Sequence, residues 1–342
     1  MFNVWGLIAG LAMVWAVAGC DDSGTKPKPG ASAAGDVPLG LGPVPVPDDN
    51  PMSAKKVELG RMLYFDTRLS KDGTISCATC HDPNTGWAEP RATSEGIGGQ
   101  IGGRNAPTVI NAAYLDSQFW DGRVPTLEAQ ALGPIENPIE MGHKLEDLVG
   151  ELSKIEGYKK LFQEVFSTDV TKEGIAKAIA AFERTVLSGN SAYDRFKKGD
   201  KSALNEAQKR GHDLFMESCS GCHRPPTFSN GRFYNAGIGM DKPEPDVGRE
   251  KVTGDAKDKG GFRVVPLRDA TDTGPYFHDG SVASLEEAVI IMAGGGIDNP
   301  NLSGMVKKIR DAKLTEENVK DLVAFIGALS GDYPKTTPPK LP

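Results

Sequence analysis

The pattern Cys-x-x-Cys-His occurs twice, as Cys77-Ala78-Thr79-Cys80-His81 and as Cys219-Ser220-Gly221-Cys222-His223. This is the attachment signature of c-type haem, in which two thiols bind the porphyrin covalently and the histidine binds the iron. The alternatives are a zinc ribbon and a thioredoxin-like dithiol. However, Cys219 follows Cys77 by 142 positions, and a dithiol has no need of the histidines. We therefore predict two covalently bound haems, which use four of the five cysteines.

The sequence that precedes each motif is also repeated. Gly60-Arg61-Met62-Leu63-Tyr64 leads to the first motif, and Gly211-His212-Asp213-Leu214-Phe215 leads to the second. Strand patterns are nearly absent. We predict a mainly α fold of two cytochrome c-like haem domains in tandem with long loops. Apolar spacing and capping residues predict further helices over 144–155 and after Thr171, Ser284 and Thr315.

Residues 1–20 have the pattern of a secretory signal. Their apolar run, over 4–18, is shorter than the about 20 residues of a membrane span, and it ends in Val17-Ala18-Gly19-Cys20, which resembles a lipoprotein box. The segment has no Lys or Arg, so the alternatives are an uncleaved anchor helix and a plain signal with a chance cysteine. We predict lipidation at Cys20 and a periplasmic protein whose only membrane attachment is that lipid.

Composition divides the rest of the chain. Residues 21–52 contain seven prolines and residues 333–342 contain four, so we expect a Pro-rich tether and a flexible tail. Between them we expect an N-terminal haem domain over 53–200 and a C-terminal haem domain over 201–332. The net charge of −7, without a basic stripe, excludes a nucleic-acid partner.

Two haems in one chain can specialise if their axial ligands differ. A methionine opposite the histidine raises the reduction potential, whereas an open sixth position lets the iron bind a substrate. Among the histidines outside the motifs, His278 lies in an aromatic, turn-rich loop and is the best functional candidate. Met292 precedes the small residues 293–296 and is a candidate sulfur ligand, with core packing as the alternative.

Five strings resemble those of a known family: residues 63–70 (LYFDTRLS), 104–108 (RNAPT), 119–123 (FWDGR), 133–136 (GPIE) and 275–280 (PYFHDG). They are similar to strings of the bacterial di-haem cytochrome c peroxidases, the family that also contains MauG. The resemblance extends from about residue 59 to residue 331. It implies that the N-terminal haem is peroxidatic and that the C-terminal haem is a high-potential electron store.

The resemblance also implies roles for individual residues. His81 and His223 bind the two irons, and Met292 is the second ligand of the C-terminal haem. Without the resemblance, we would predict that Glu140 is a surface charge and that Trp120 is a core aromatic residue. Asn105 would be a turn residue. The implied peroxide site and inter-haem path comprise a distal glutamate at Glu140, a distal glutamine at Gln130 and a tryptophan between the haems at Trp120.

A calcium ion between the domains is a further implication of the resemblance. Its ligands would be the Asn105 side chain and the carbonyl groups of Thr273 and Pro275. Oxygen ligands of this kind suit a hard cation.

One loop departs from the family pattern. Many members have a histidine before the string at 104–108, and it occupies the peroxidatic iron at rest. Here the loop 93–103 has no histidine, and Ile97 stands at the aligned position. We therefore predict that the first haem is open or water-ligated in the oxidised protein and reacts with peroxide without prior reduction.

These observations predict a peroxidase that reduces hydrogen peroxide to water with electrons from a small cytochrome c or cupredoxin. A homodimer is usual for the family. One alternative is a MauG-like enzyme that oxidises residues of a partner protein, although a tyrosine replaces the methionine ligand in that branch. The other alternative is a non-enzymatic di-haem electron carrier or sensor, in which Glu140 and Gln130 would have no role.

Overall fold

The computed structural model of the chain describes residue 1 and residues 36–342. The predicted lipidation site Cys20 and most of the predicted signal segment lie outside the described residues. Among the residues that are described, no helix is both long enough and apolar enough to span a bilayer.

The described residues are mainly α-helical, as predicted. Seven helices precede residue 200: α1 Ala54–Tyr64, α2 Cys77–Cys80, α3 Leu127–Glu136, α4 Leu145–Leu152, α5 Glu156–Phe166, α6 Lys172–Glu183 and α7 Ala192–Lys197. Five follow it: α8 Glu206–Ser218, α9 Glu250–Thr253, α10 Leu285–Ala293, α11 Gly304–Lys307 and α12 Glu316–Gly327. Two short strands, β1 Phe233–Tyr234 and β2 Phe262–Arg263, pair in antiparallel fashion.

Several helix starts follow from single polar side chains. Thr171 accepts the backbone N–H of Gly174 at the start of α6, and Thr315 accepts that of Asn318 at the start of α12. These bonds satisfy N–H groups that have no partner inside the helix. The predicted caps of these two helices are confirmed.

The same pair of helices forms the frame of each half. Helix α1 packs on α6, and α8 packs on α12. A side chain at Gly60 would collide with the carbonyl oxygen of Ala178, and one at Gly211 would collide with that of Asp321. Glycine at the same place in both repeated strings therefore lets each helix approach its partner's backbone closely.

Two segments that we expected to be free of the folded body contact it instead. Asn50, in the predicted tether, is buried, and its Oδ1 accepts a hydrogen bond from Lys56 Nζ at 2.8 Å. In the predicted tail, the carbonyl of Pro334 accepts the indole N–H of Trp87 at 2.9 Å. The reason is that a proline-rich chain still offers carbonyl acceptors to buried donors, even though it forms neither helix nor strand.

Ion pairs join the two halves. Arg268 makes two bonds of 2.8 Å to the carboxylate of Asp194, and both side chains are buried. Arg104 binds Asp121 of the first half and Asp246 of the second. A buried, bidentate guanidinium–carboxylate pair fixes orientation because it has a planar, two-bond geometry. These ion pairs thereby fix the loops around Arg104, Asp121 and Asp246 relative to one another.

Candidate haem sites

The first motif forms a short helix with its histidine at the end. Helix α2 begins at Cys77 and ends at Cys80, and His81 is its C-terminal cap. The hydroxyl of Tyr64, on α1, donates to the carbonyl of His81 at 3.0 Å. Desolvation lowers the pKa of His81 to about 4, despite nearby carbonyls of Pro107 and Trp87. The imidazole is therefore neutral at physiological pH, which is the form that binds iron.

The second motif presents its histidine in a defined tautomer. His223 Nδ1 lies 2.9 Å from the carbonyl oxygen of Phe228, so this nitrogen carries the proton and donates it. Nε2 is then free to bind a metal, as in most metal-binding histidines with a carbonyl partner. Desolvation also lowers the pKa of His223.

A largely apolar cavity lies against the second motif. It is lined by Cys219, Cys222 and His223, and Met292 contributes to its wall from the last turn of α10. Two thiols for covalent attachment, with one imidazole and one thioether as iron ligands, are the groups that a His/Met c-type haem requires around an apolar space. The residues present therefore fit the cofactor.

Trp120 lies between the halves. It is 9% exposed, its indole N–H donates to the carbonyl of Asn105 at 2.9 Å, and it lines the cavity of the second motif. The ring of His278 approaches Trp120 edge-on at 6.5 Å and stacks on Phe262 at 3.6 Å. His278, the functional candidate among the remaining histidines, is thus buried in the wall of the second haem site.

The three residues implied as calcium ligands lie around one cavity. Asn105, Thr273 and Pro275 all line the cavity of the second motif. The amide nitrogen of Asn105 donates to the carbonyl of Arg91 at 2.9 Å, which leaves its side-chain oxygen as a potential ligand. In the described part of the chain, no group of three or more His, Cys, Asp or Glu side chains is placed to hold a metal ion. A cation here would therefore depend on amide and carbonyl oxygens.

Glu140 is half-buried and lies near the first motif. Burial raises the pKa of its carboxyl group, against the opposing effects of Asn137 and Arg123. The amide nitrogen of Asn137 donates to Glu140 Oε1 at 2.5 Å. Burial, Glu89 and Glu140 together raise the pKa of the Cys80 thiol to about 11, which places Glu140 within electrostatic reach of the haem-binding cysteine.

The loop that departs from the family pattern packs against the segment that carries Glu140. The backbone N–H of Ile97 donates to the carbonyl of Glu140 at 2.9 Å. Gly96 lies so close to the carbonyl oxygen of Ile139 that a side chain would collide there. The Ile97 side chain approaches Gly142. An aliphatic side chain thus stands where the family pattern has an imidazole.

Gln130 lies on α3, half-buried, and its backbone N–H bonds the carbonyl of Thr126. Among the described residues, no hydrogen bond joins its side chain to Glu140. The structure therefore does not by itself bring the two distal candidates together.

Some residues near the haem sites were not identified from the sequence. Asn137 donates a hydrogen bond to the Glu140 carboxylate and orients it. The two residues are only three positions apart, so the sequence could have predicted this contact. Buried Glu183 and Arg263 each have a side-chain atom with no hydrogen-bond partner in the described residues. Neither has a local sequence signal, because only the tertiary fold buries them.

Two family descriptions match the chain. Residues 54–202 match the family described as di-haem cytochrome c peroxidase, and residues 208–330 match cytochrome c. The cytochrome c peroxidase Ccp of Escherichia coli (strain K12) is 40% identical over 84% of this chain, which spans 61% of the length of that relative. The methylamine utilization protein MauG of Methylophilus methylotrophus is 36% identical over 87% of this chain and 89% of its own.

A solved structure agrees with these matches. It is that of a MauG-like protein associated with microbial copper homeostasis, 35% identical, with a TM-score of 0.77 over 87% of this chain and 95% of the other. The family resemblance, the two tandem cytochrome c-like domains and the two c-type haems predicted from the sequence are confirmed. The chain therefore belongs to the di-haem cytochrome c peroxidase family.

Proposed function

We propose that this protein reduces hydrogen peroxide to water at its first haem, with electrons that a small cytochrome c or cupredoxin delivers to its second haem. The observation that carries the proposal is the difference between the two motifs. Met292 lines the cavity of the second motif, whereas a half-buried carboxyl group, Glu140, lies near the first.

The first haem, when bound, supplies the iron that accepts the peroxide and the electrons. The protein's own task is to move a proton. Reduction of one peroxide to two waters consumes two electrons and two protons, and O–O cleavage requires a proton to pass from one oxygen to the other. Glu140 can accept that proton and return it, because burial keeps the pKa of its carboxyl group above the ordinary value. Asn137 holds the carboxylate in one orientation.

Electron transfer between the haems would use Trp120. Its burial between the halves and its place in the wall of the second cavity support this role. The hydrogen bond to Asn105 fixes the indole, so the aromatic ring stays in one orientation. Gln130 would assist at the peroxide site, as the family resemblance implies.

The first haem would be ready to react in the oxidised protein. The packing of Ile97 on the Glu140 segment supports this proposal, since loop 93–103 brings no imidazole to that segment. We place the folded part in the periplasm, tethered through Cys20, with Asn105, Thr273 and Pro275 as ligands of a calcium ion and with a homodimer as the assembly.

A second candidate function is oxidation of residues of a partner protein. The matches to MauG and to the MauG-like structure favour it. Met292 opposes it, because the resemblance implies tyrosine as the second-haem ligand in that branch. A spectrum that shows methionine bound to the second iron would separate the two candidates in favour of the peroxidase.

Replacing Glu140 by glutamine tests the proposed peroxide site. We expect kcat/KM for peroxide to fall by about 10²–10⁴, the usual contribution of a general acid–base group. The measurement is stopped-flow oxidation of reduced cytochrome c by peroxide, on protein with both haems bound. Glu146→Gln, in the first turn of α4, is the matched surface control. Unchanged kcat/KM in E140Q would overturn the assignment.

A further inference from the structure

A buried guanidinium group without an ion-pair partner lies on β2. Arg263 is 5% exposed, and its Nη1 has no hydrogen-bond partner within the described residues. In that part of the chain, no carboxylate lies within 4.0 Å of it. A buried charge without a counter-charge is strongly unfavourable. Arg263 therefore needs a counter-charge, and the described residues do not supply one.

The position of Arg263 is fixed by its other contacts. Its backbone N–H donates to the carbonyl of Trp120 at 2.8 Å, and its Nε donates to the carbonyl of Phe119 at 3.2 Å. These bonds hold one side of the guanidinium fork and leave the end that carries Nη1 unpaired. Arg263 is one of the residues that line the cavity containing His223 and Met292.

The neighbouring arginines already have partners. Arg104 binds the carboxylates of Asp121 and Asp246, and Arg249 donates to the carbonyls of Asp121 and Gly122. Desolvation lowers the pKa of the Arg263 guanidinium to about 10, with no neighbouring carboxylate to oppose it. Arg263 is thus the one of these three that needs an anion.

The cofactor of this cavity brings such an anion. A c-type haem is attached through its vinyl side chains and keeps two free propionate carboxylates. Guanidinium and carboxylate groups match in charge and in their two-bond geometry. No other anion needs to be assumed.

We propose that Arg263 binds a propionate of the second haem beside Trp120 and thereby raises the reduction potential of that haem. Neutralising a propionate removes negative charge that would otherwise stabilise the ferric state. The inference depends on haem at the second motif and not on peroxidase activity. Arg263 is a positioning residue, since it acts on the iron through the propionate.

The test is spectroelectrochemical titration of the full chain with both haems bound, for wild type, R263Q and R263K. We expect R263Q to reduce the equilibrium constant for one-electron reduction of the second haem by about tenfold, which is 59 mV. R263K should show a smaller fall because it keeps the charge and loses the fork. Exposed Arg232, just before β1, supplies the control R232Q.

A second readout separates the ion pair from a merely structural role. Without the guanidinium, a buried propionate should take up a proton more readily. The potential of the second haem should then fall as pH rises in R263Q and stay level in wild type. The first haem should keep its potential in every variant.

Three results would overturn the proposal. They are an R263Q titration that matches R232Q, a shift confined to the first haem, and a shift of equal size in R263K and R263Q. If R263Q does not bind haem, the ion pair is tested instead by comparing the propionate bands in resonance Raman spectra of wild type and R263K. Identical propionate bands in those two proteins would also refute the ion pair.

Discussion

The two halves of the molecule use the same helix pair but place different side chains near their Cys-x-x-Cys-His motifs. In each half, a glycine on the helix before the motif packs against a later helix, α6 or α12. The second half then presents Met292 and an apolar cavity, whereas the first half has Glu140 near its cysteine. The two halves thus share a scaffold, and under the proposed function these differing side chains decide what each haem iron can do.

The halves also differ at one buried helix position. Phe182 and Phe325 occupy matching places, since each packs against the glycine of the partner helix. The next residue is Glu183 in the first half and Ile326 in the second, and both are 5% exposed. Ile326 lines the second cavity, whereas Glu183 lies close enough to the first motif that burial and, secondly, the Glu183 charge raise the pKa of the Cys77 thiol. A titratable group therefore stands near the first haem where the second has a hydrocarbon.

Replacing Met292, the proposed sulfur ligand, should make the second half resemble the first. We expect Met292→Leu to lower the potential of the second haem by an amount on the order of 0.1 V, within the roughly 0.8 V that axial ligands span. Loss of the charge-transfer band of methionine-bound haem would confirm the cause. Met305→Leu, at an exposed methionine, is the control. An unchanged potential and band would show that Met292 only packs in the wall.

The shared helix pair can be tested with matched substitutions. Gly60→Ala and Gly211→Ala should each destabilise the protein by about 1–3 kcal/mol, because the added methyl group meets a backbone carbonyl that cannot rotate away. Gly150→Ala, in α4, meets nothing within 4 Å and should stabilise slightly. Denaturant unfolding of the haem-loaded protein measures all three. Equal stability of G60A and G150A would contradict the close helix contact.

Glu183 should make stability depend on pH. Burial raises the pKa of its carboxyl group from 4.5 to about 8, so the folded state keeps a proton that the unfolded chain loses between these values. The free energy of unfolding should therefore fall as pH rises from about 4.5 to about 8. Unfolding at pH 5 and pH 8 should show a smaller fall in E183Q than in wild type. Glu173→Gln, on the exposed part of the same helix, should behave as wild type.

The smallest effect concerns the orientation of Glu140. The hydrogen bond from Asn137 lowers the pKa of the Glu140 carboxyl group, so Asn137→Ala should raise that pKa. The acid limb of the pH profile of kcat/KM should then move upward, by less than about one pH unit. In the E140Q background, Asn137→Ala should leave the pH profile of kcat/KM unchanged. A shift that persists in E140Q would assign the limb to another group.

Short motifs were enough to identify the haem sites. Cys-x-x-Cys-His sets its ligands within five positions, so attachment and the histidine ligands follow from covalent spacing. The strings around Glu140, Trp120 and Met292 are also local, and a resemblance could carry these residues over by position. The contacts that residues 36–52 and 333–342 make with the folded body were not predicted, because their partners lie far away in the chain.

The sequence by itself determined where haem attaches, where the capped helices α6 and α12 begin and which family the chain belongs to, because these depend on patterns a few residues long. The tertiary structure alone decided which charges are buried. Arg263 reaches the carbonyl of Phe119 across 144 positions, and Glu183 becomes buried where its structural counterpart is Ile326. Burial depends on packing between distant segments, and it is burial that turns an ordinary charged side chain into one that must find a partner or a proton.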